Sequence, residues 1–262
     1  MLNDTALVIT AWKRPDYLRR TFLSWAAAAR VDELRMVAVA LGPSHRLDDQ
    51  MDVIREAEDA LSRKIVVLPD SPGAQAGPGM HRALGEAIDR LFDGFAPEFV
   101  LCGEEDVIVS SDVLAYMDWA QGHFDDVTLC ICAHNQGGAG WDGLSAPRED
   151  EGADQAAVRL LPYFNPWVWC TWRRTWRTTI RPVWDWDCDS GGAGESGYDW
   201  NLQRLSAIGP WRNLVPDAAR SQTIGEYAGV YSTPGIFPLQ QAASFREHRE
   251  HVSYRLVDDP AS

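Results

Sequence analysis

The segment FVLCGEEDVIVSSDVL, Phe99 to Leu114, runs four apolar residues and one glycine into three adjacent acids, Glu104, Glu105 and Asp106. Phe99–Cys102 reads as the interior of a buried strand, and Ser110-Ser111-Asp112 as the start of a helix. Burying one unpaired carboxylate is unfavourable, and neighbouring like charge makes it worse. The pattern therefore asks for positive charge at the strand's end. A hard divalent cation suits it. Such an ion takes oxygen ligands, needs one or two carboxylates, and completes its shell with water and phosphate oxygens. In an extended strand Glu104 and Asp106 project to one side and Glu105 to the other. The plainer alternative is a solvated acidic turn capping the next helix. The apolar strand before it and the helix start after it weigh against that.

Working outward, apolar strands alternate with helices. Ala6–Thr10 is a short strand. Arg14–Ala29 follows as a helix, with Pro15 suited to its first position and Tyr17, Leu18, Phe22 and Trp25 at helical spacing. Arg35–Gly42 is a second strand, Asp48–Ser62 a second helix and Lys64–Asp70 a third strand. A Gly/Pro loop, SPGAQAGPG, leads to a helix over Met80–Phe92. Strand four is the opening segment, followed by a helix over Asp112–His123 and strand five over Val127–Asn135. This order predicts an α/β fold with a central, mostly parallel sheet flanked by helices. In such sheets ligands bind beyond the carboxyl ends of the strands, where Glu104–Asp106 lie.

The second half is less regular. Asn135–Gln155 and Asp185–Gly197 are Gly-rich acidic loops. Asn165–Trp172 reads as a strand on which Trp167 and Trp169 point the same way, and Arg173–Arg181 as a short basic helix. Tyr198–Gly209 reads as a helix with a Gly stop, and Arg212–Asp217 as a late strand. From Pro234 the chain is polar, with REHREH a solvated helix face. Eight of the twelve tryptophans fall between Trp167 and Trp211, either as a core cluster or as an aromatic wall for a sugar or base.

The 262 residues carry a net charge of −14, which disfavours a duplex nucleic-acid binder. No stretch approaches the roughly 20 apolar residues of a membrane span, and the N-terminus lacks the pattern of a signal peptide. Five cysteines without a C-x-x-C pair read as reduced core residues of a soluble, cytoplasmic protein. There is no P-loop, no G-x-G-x-x-G after the first strand, no G-x-S-x-G elbow and no H-x-x-x-H. His81 and Arg82 open the third helix and are placed to reach phosphates or a sugar. Arg173, Arg174 and Arg177 either bind an anionic acceptor or offset the acidic loops, the second being the simpler reading.

Taken in order, KRPDYLRRTFLSW, VLCGEEDVIVSSDVLAYM, CICAHNQGG and YDWNLQRL…NLVPDAARSQTIGEYAG resemble the glycosyltransferase A fold. Within it they are most similar to the alpha-1,3-mannosyl-glycoprotein N-acetylglucosaminyltransferase I family. The resemblance runs from about Ala6 to Tyr231, is weak over 136–162 and absent in the tail. It implies one domain over 1–262: a nucleotide-sugar-binding half (1–135), an acceptor and catalytic half (136–233) and a C-terminal tail (234–262). It also implies an inverting, metal-dependent transfer from a nucleotide-diphosphate sugar, UDP-sugar favoured, to a hydroxyl. Mn²⁺ or Mg²⁺ would sit on Asp106, Glu104 and Glu105 near the ribose or donor sugar, and Arg14 near the base. Asp199 falls at the catalytic-base position. The family has two acids before the tryptophan where this chain has Tyr198-Asp199, so Glu195 is the alternative base. The acceptor is a glycan, protein, lipid or modified nucleobase. The rival readings are a carbohydrate-binding module without catalysis and a sugar-phosphate nucleotidylyltransferase.

Overall fold

The computed structural model describes residues 2–42, 44, 46–68, 79–135, 153–184, 186, 197–227, 235, 237–250 and 252–257. The strands are β1 (Thr5–Ala11), β2 (Met36–Leu41), β3 (Ile65–Leu68), β4 (Phe99–Glu104), β5 (Val107–Val109), β6 (Thr128–Cys132), β7 (Ala157–Leu161), β8 (Trp169–Trp172), β9 (Arg212–Pro216), β10 (Ser221–Thr223) and β11 (Arg255–Leu256). The helices are α1 (Pro15–Ala26), α2 (Leu47–Leu61), α3 (Gly79–Gly94), α4 (Val113–Gln121), the single turn α5 (Arg173–Thr175) and α6 (Tyr198–Ile208).

Nine strands form one sheet in the order β11-β7-β9-β6-β8-β4-β1-β2-β3. The block β3-β2-β1-β4 is parallel throughout, with Thr10 opposite Glu104 and Ala11 opposite Leu41. β8 runs antiparallel between β4 and β6, and β6 and β9 resume the first direction.

Side chains of the central strands alternate between two cores, as the pleat requires. Leu7, Ile9 and Ala11 of β1 face one side with α1, α2 and α4. Ala6 and Val8 face the other, with α3, α6 and the tryptophans Trp176 and Trp184. Leu18, Phe22 and Trp25 of α1 bury one stripe, and Leu84, Ala87, Ile88 and Leu91 of α3 another. Burial on both faces explains why β1, β2 and β4 read as unbroken apolar runs.

Several expectations are corrected. The strand expected over Asn165–Trp172 begins only at Trp169, because Val168 sits at φ 67° and breaks the extended run. Trp167 and Trp169 therefore part company: Trp169 lies in the α3/α6 core, and Trp167 packs against the other. Arg173–Arg181 forms α5, a π-helical turn over Trp176–Ile180 and a 3-10 turn over Arg181–Val183 rather than one α-helix. Arg246–Glu250 is not helical. Its backbone crosses the β5–α4 junction, where Ser111 N donates to Glu247 O and Ser111 Oγ to Arg249 O. β7, β10 and β11 were not foreseen. No helix among the described residues is long and apolar enough to cross a membrane. Cys102, Cys130, Cys132 and Cys170 are buried and free. Cys188 and both Gly-rich loops fall largely or wholly outside the described residues.

Candidate active site

The lip of the sheet at the ends of β1 and β4 is built by three acids that go three ways. β4 ends at Glu104, and Glu105-Asp106 form the turn into β5. Glu105 turns towards the β1–α1 loop and is 4 % exposed. Its carboxylate accepts from Trp12 N at 2.7 Å, Arg14 N at 3.4 Å and Arg14 Nε at 2.7 Å, and Thr21 Oγ1 donates to its carbonyl at 2.8 Å. Glu105 thus fastens the β1–α1 loop.

Asp106 lies against that loop and against the chain leaving β10. Arg14 Nη2 is 2.9 Å from its Oδ2, and Ile224 N donates to its carbonyl at 2.7 Å. Gly225 passes so close that a Cβ on it would overlap Asp106 Oδ2. Only glycine permits this approach. Arg14 is the cation set between Glu105 and Asp106. Its Nη1 is buried without a hydrogen-bond partner. Burial opposes the Arg14 charge, but Asp106, Glu105 and Glu104 outweigh it and raise the pKa.

Glu104 turns the other way, towards α6. Tyr198 Oη donates to its Oε1 at 2.7 Å. Tyr198 is itself clamped: Trp184 stacks on it at 5.3 Å and 15°, Trp169 at 6.0 Å and 29°, and the His81 ring lies 5.3 Å away. The tryptophan-rich half therefore builds a buried wall behind Tyr198; Trp169, Trp176 and Trp184 are 0 %, 0 % and 4 % exposed.

Asp199 follows Tyr198 in the first turn of α6. Gly197, at φ 126°, makes the bend that puts it there, and a Cβ on Gly197 would meet Asp199 Oδ1 at 2.6 Å and His81 Nε2 at 3.3 Å. Asp199 and His81 thus face the same space. Tyr198 N approaches His81 Nδ1 at 3.4 Å. Arg82 pairs with Glu86 on its own helix at 3.1 Å. Arg173, Arg174 and Arg177 pair with Glu98, Asp126 and Asp93. Glu195 lies outside the described residues.

The electrostatics follow from three acids against one guanidinium. Burial first, then Asp106, pushes Glu104 up to about 8, against the Tyr198 hydrogen bond. Burial also raises Asp106, and Arg14 offsets only part of this. Asp199 is pushed up by burial to about 6. A divalent cation at Asp106 fits on two counts: its ligands are hard oxygens, and the burial that raises Asp106 and Glu104 penalises a charge that a cation would offset. Among the described residues no three His, Cys, Asp or Glu side chains converge as a metal cage.

No family model matches the chain, and no curated protein matches it by sequence. Among the solved structures that share its fold are a mannosyltransferase and TarS. A mannosyltransferase, PcManGT from Pyrobaculum calidifontis in complex with GDP-Man and Mn²⁺, superposes with a TM-score of 0.53 at 12 % identity, over 82 % of this chain and 57 % of its own. Residues 1–349 of TarS from S. aureus superpose with a TM-score of 0.51 at 15 % identity, over 85 % and 60 %. The chain spans less than two thirds of either. The fold is accordingly the glycosyltransferase A type.

Proposed function

We propose that this chain is a metal-dependent, inverting glycosyltransferase that moves a sugar from a nucleotide-diphosphate donor to an acceptor hydroxyl. The observation that carries the reading is the group of buried carboxylates at the lip of β4, two of them raised by burial, in a fold shared with a mannosyltransferase. The earlier resemblance to the N-acetylglucosaminyltransferase I family points the same way.

Asp106 would hold Mn²⁺ or Mg²⁺. The ion would supply Lewis-acid stabilisation of charge on the leaving diphosphate. Asp199, across the lip on α6, accepts the acceptor's proton as its oxygen attacks the anomeric carbon, and one displacement inverts that carbon. An Asp199 held near 6 is largely ionised at neutral pH yet basic enough to take the proton. Glu105 and Arg14 keep the β1–α1 loop, and with it Asp106, in place. His81 borders the same space as Asp199; the Arg82–Glu86 pair would have to open for Arg82 to reach a phosphate.

The burial of Trp169, Trp176 and Trp184 speaks against a carbohydrate-binding module built on those rings. A nucleotidylyltransferase is disfavoured by AWKRPDY after β1, which lacks the glycine-rich basic signature. The test is a hydrolysis and transfer screen across UDP-, GDP- and dTDP-sugars with Mn²⁺. Metal-dependent release of the nucleoside diphosphate from one donor class is expected. Joining of a sugar phosphate to a nucleoside triphosphate would overturn the reading.

A further inference from the structure

Resting on the glycosyltransferase reading, we infer that Arg14 competes with the divalent cation for Asp106, so that the ion binds weakly alone and tightly only together with a diphosphate. The Arg14 guanidinium spans two acids. Its Nε meets Glu105 Oε1 at 2.7 Å, and its Nη2 meets Asp106 Oδ2 at 2.9 Å. Asp106 is 8 % exposed, and Gly225 lies on the same oxygen, where a Cβ would overlap it. Oδ2 is therefore engaged from two sides.

A coordinated cation needs its oxygen close, at about 2.1 Å for Mg²⁺. Oδ2 cannot serve such an ion and keep Arg14 where it is, because the two positive charges would then repel across one oxygen atom. On Oδ1 the ion still divides a single carboxylate's charge with the guanidinium. In either position the cation has full use of Asp106 only as Arg14 lets go.

Arg14 can let go without losing its footing. Its Nε stays on Glu105, whose carboxylate also accepts from Trp12 N at 2.7 Å, and the centre of the Tyr17 ring lies 5.4 Å from its Cζ. The present grip is also incomplete. Nη1 is buried without a hydrogen-bond partner, 3.2 Å from where a Cβ on Gly225 would stand. An unpaired N–H on a buried cation is unfavourable, so leaving this pose sacrifices less than leaving a fully bonded fork. A bare metal ion must push the guanidinium aside and then lie beside it. A diphosphate brings the negative charge that lets the two cations stay close. Direct coordination of phosphate by the ion already couples the two ligands, and Arg14 adds to that coupling by weakening the ion alone. By linkage, metal and diphosphate strengthen each other by the same factor.

The test is Mn²⁺ binding to wild type, Arg14→Gln and Arg14→Lys, read by electron paramagnetic resonance of the free ion. Each protein is titrated alone and with UDP or GDP, against protein-free controls. At pH 8 protons compete least for the Asp106 carboxylate, which burial raises. Arg14→Gln should bind Mn²⁺ alone about tenfold more tightly than wild type, and the enhancement by diphosphate should shrink by a similar factor. Arg14→Lys keeps a charge beside Glu105 but lacks the fork that spans both acids, so it should gain in the same direction by less. Far-UV circular dichroism checks folding, and where the glutamine variant does not fold the lysine variant decides. A residue that only braced the loop would leave metal binding unchanged or weaker on replacement. Unchanged or weaker uptake of Mn²⁺ alone by a folded variant therefore overturns the inference and leaves the transferase reading standing. Wild type that takes up no Mn²⁺ even with UDP or GDP overturns that reading, and the inference with it.

Discussion

Asp199 shows how one side chain's task depends on its surroundings. An aspartate in the first turn of a helix is ordinarily stabilised in its charged form by the helix dipole. Here burial wins and pushes the group up to about 6. A raised carboxylate pKa means the proton-accepting form is lost as pH falls through 6 and is full above it. Turnover should therefore climb between about pH 5 and 7 with a midpoint near 6, measured as kcat at saturating donor. Asp199→Asn should lose about 10²- to 10⁴-fold in kcat with donor binding retained, the usual contribution of a general base. Retained turnover in that variant would move the base elsewhere, with Glu195 the next candidate. The residue's place beside a tryptophan at a helix start was readable from YDW in the sequence. Its link to the acid cluster was not, because the link is Tyr198 Oη, 94 residues from Glu104 in sequence. The ion pairs of Arg14 with Glu105 and Asp106 were likewise not readable, since a sequence does not reveal which of several nearby partners a guanidinium chooses.

At the scale of elements, the site depends on the chain running from β10 across the acidic turn. Thr223 pairs with Val107, Ile224 N bonds Asp106 O, and Gly225 lies on the Asp106 carboxylate. Gly225→Ala forces its Cβ into Oδ2, so either this chain lifts or Asp106 turns away. Metal-dependent diphosphate binding should fall at least about tenfold, a loss of roughly 1.4 kcal/mol. The melting temperature should shift by only a few degrees, because the overlap is confined to one turn. Calorimetry and thermal denaturation on the same preparation check the two halves. The elements that carry the lip were legible for a physical reason: β1, β2 and β4 are buried on both faces and read as apolar runs. β10 (SQT) and β11 (RL) are too short to show a period. β7 (AVRLL) was hidden because its partners, β9 and β11, lie more than 50 residues further along the chain. REHREH has a helical pattern of charges but no apolar stripe, and contacts to Ser111 settle its course instead.

Across the whole molecule, one buried ionic cluster joins segments far apart in sequence. Arg220 and Asp112 are 0 % and 3 % exposed, with Nε and Oδ2 3.0 Å apart. Ser110 Oγ and Tyr254 Oη also donate to Asp112, at 2.6 and 2.8 Å, and Arg220 reaches the carbonyls of Ala218 and Gln155. The β5–α4 junction, the β9–β10 connection and the tail are thereby held together. Removing one partner leaves a buried charge uncompensated, so Arg220→Met should destabilise the protein by about 3–5 kcal/mol in chemical denaturation. A change under about 1 kcal/mol would show the cluster to be dispensable. This framework holds the lip at which the proposed function would have a cation and a diphosphate meet. The measurement that reaches it most directly is the thermal shift of wild type and Asp106→Ala with UDP or GDP, with and without Mn²⁺. The account predicts that diphosphate raises the wild-type melting temperature only when Mn²⁺ is present, and that Asp106→Ala folds but loses the rise. An equal rise without metal, or one that survives the loss of Asp106, would contradict it.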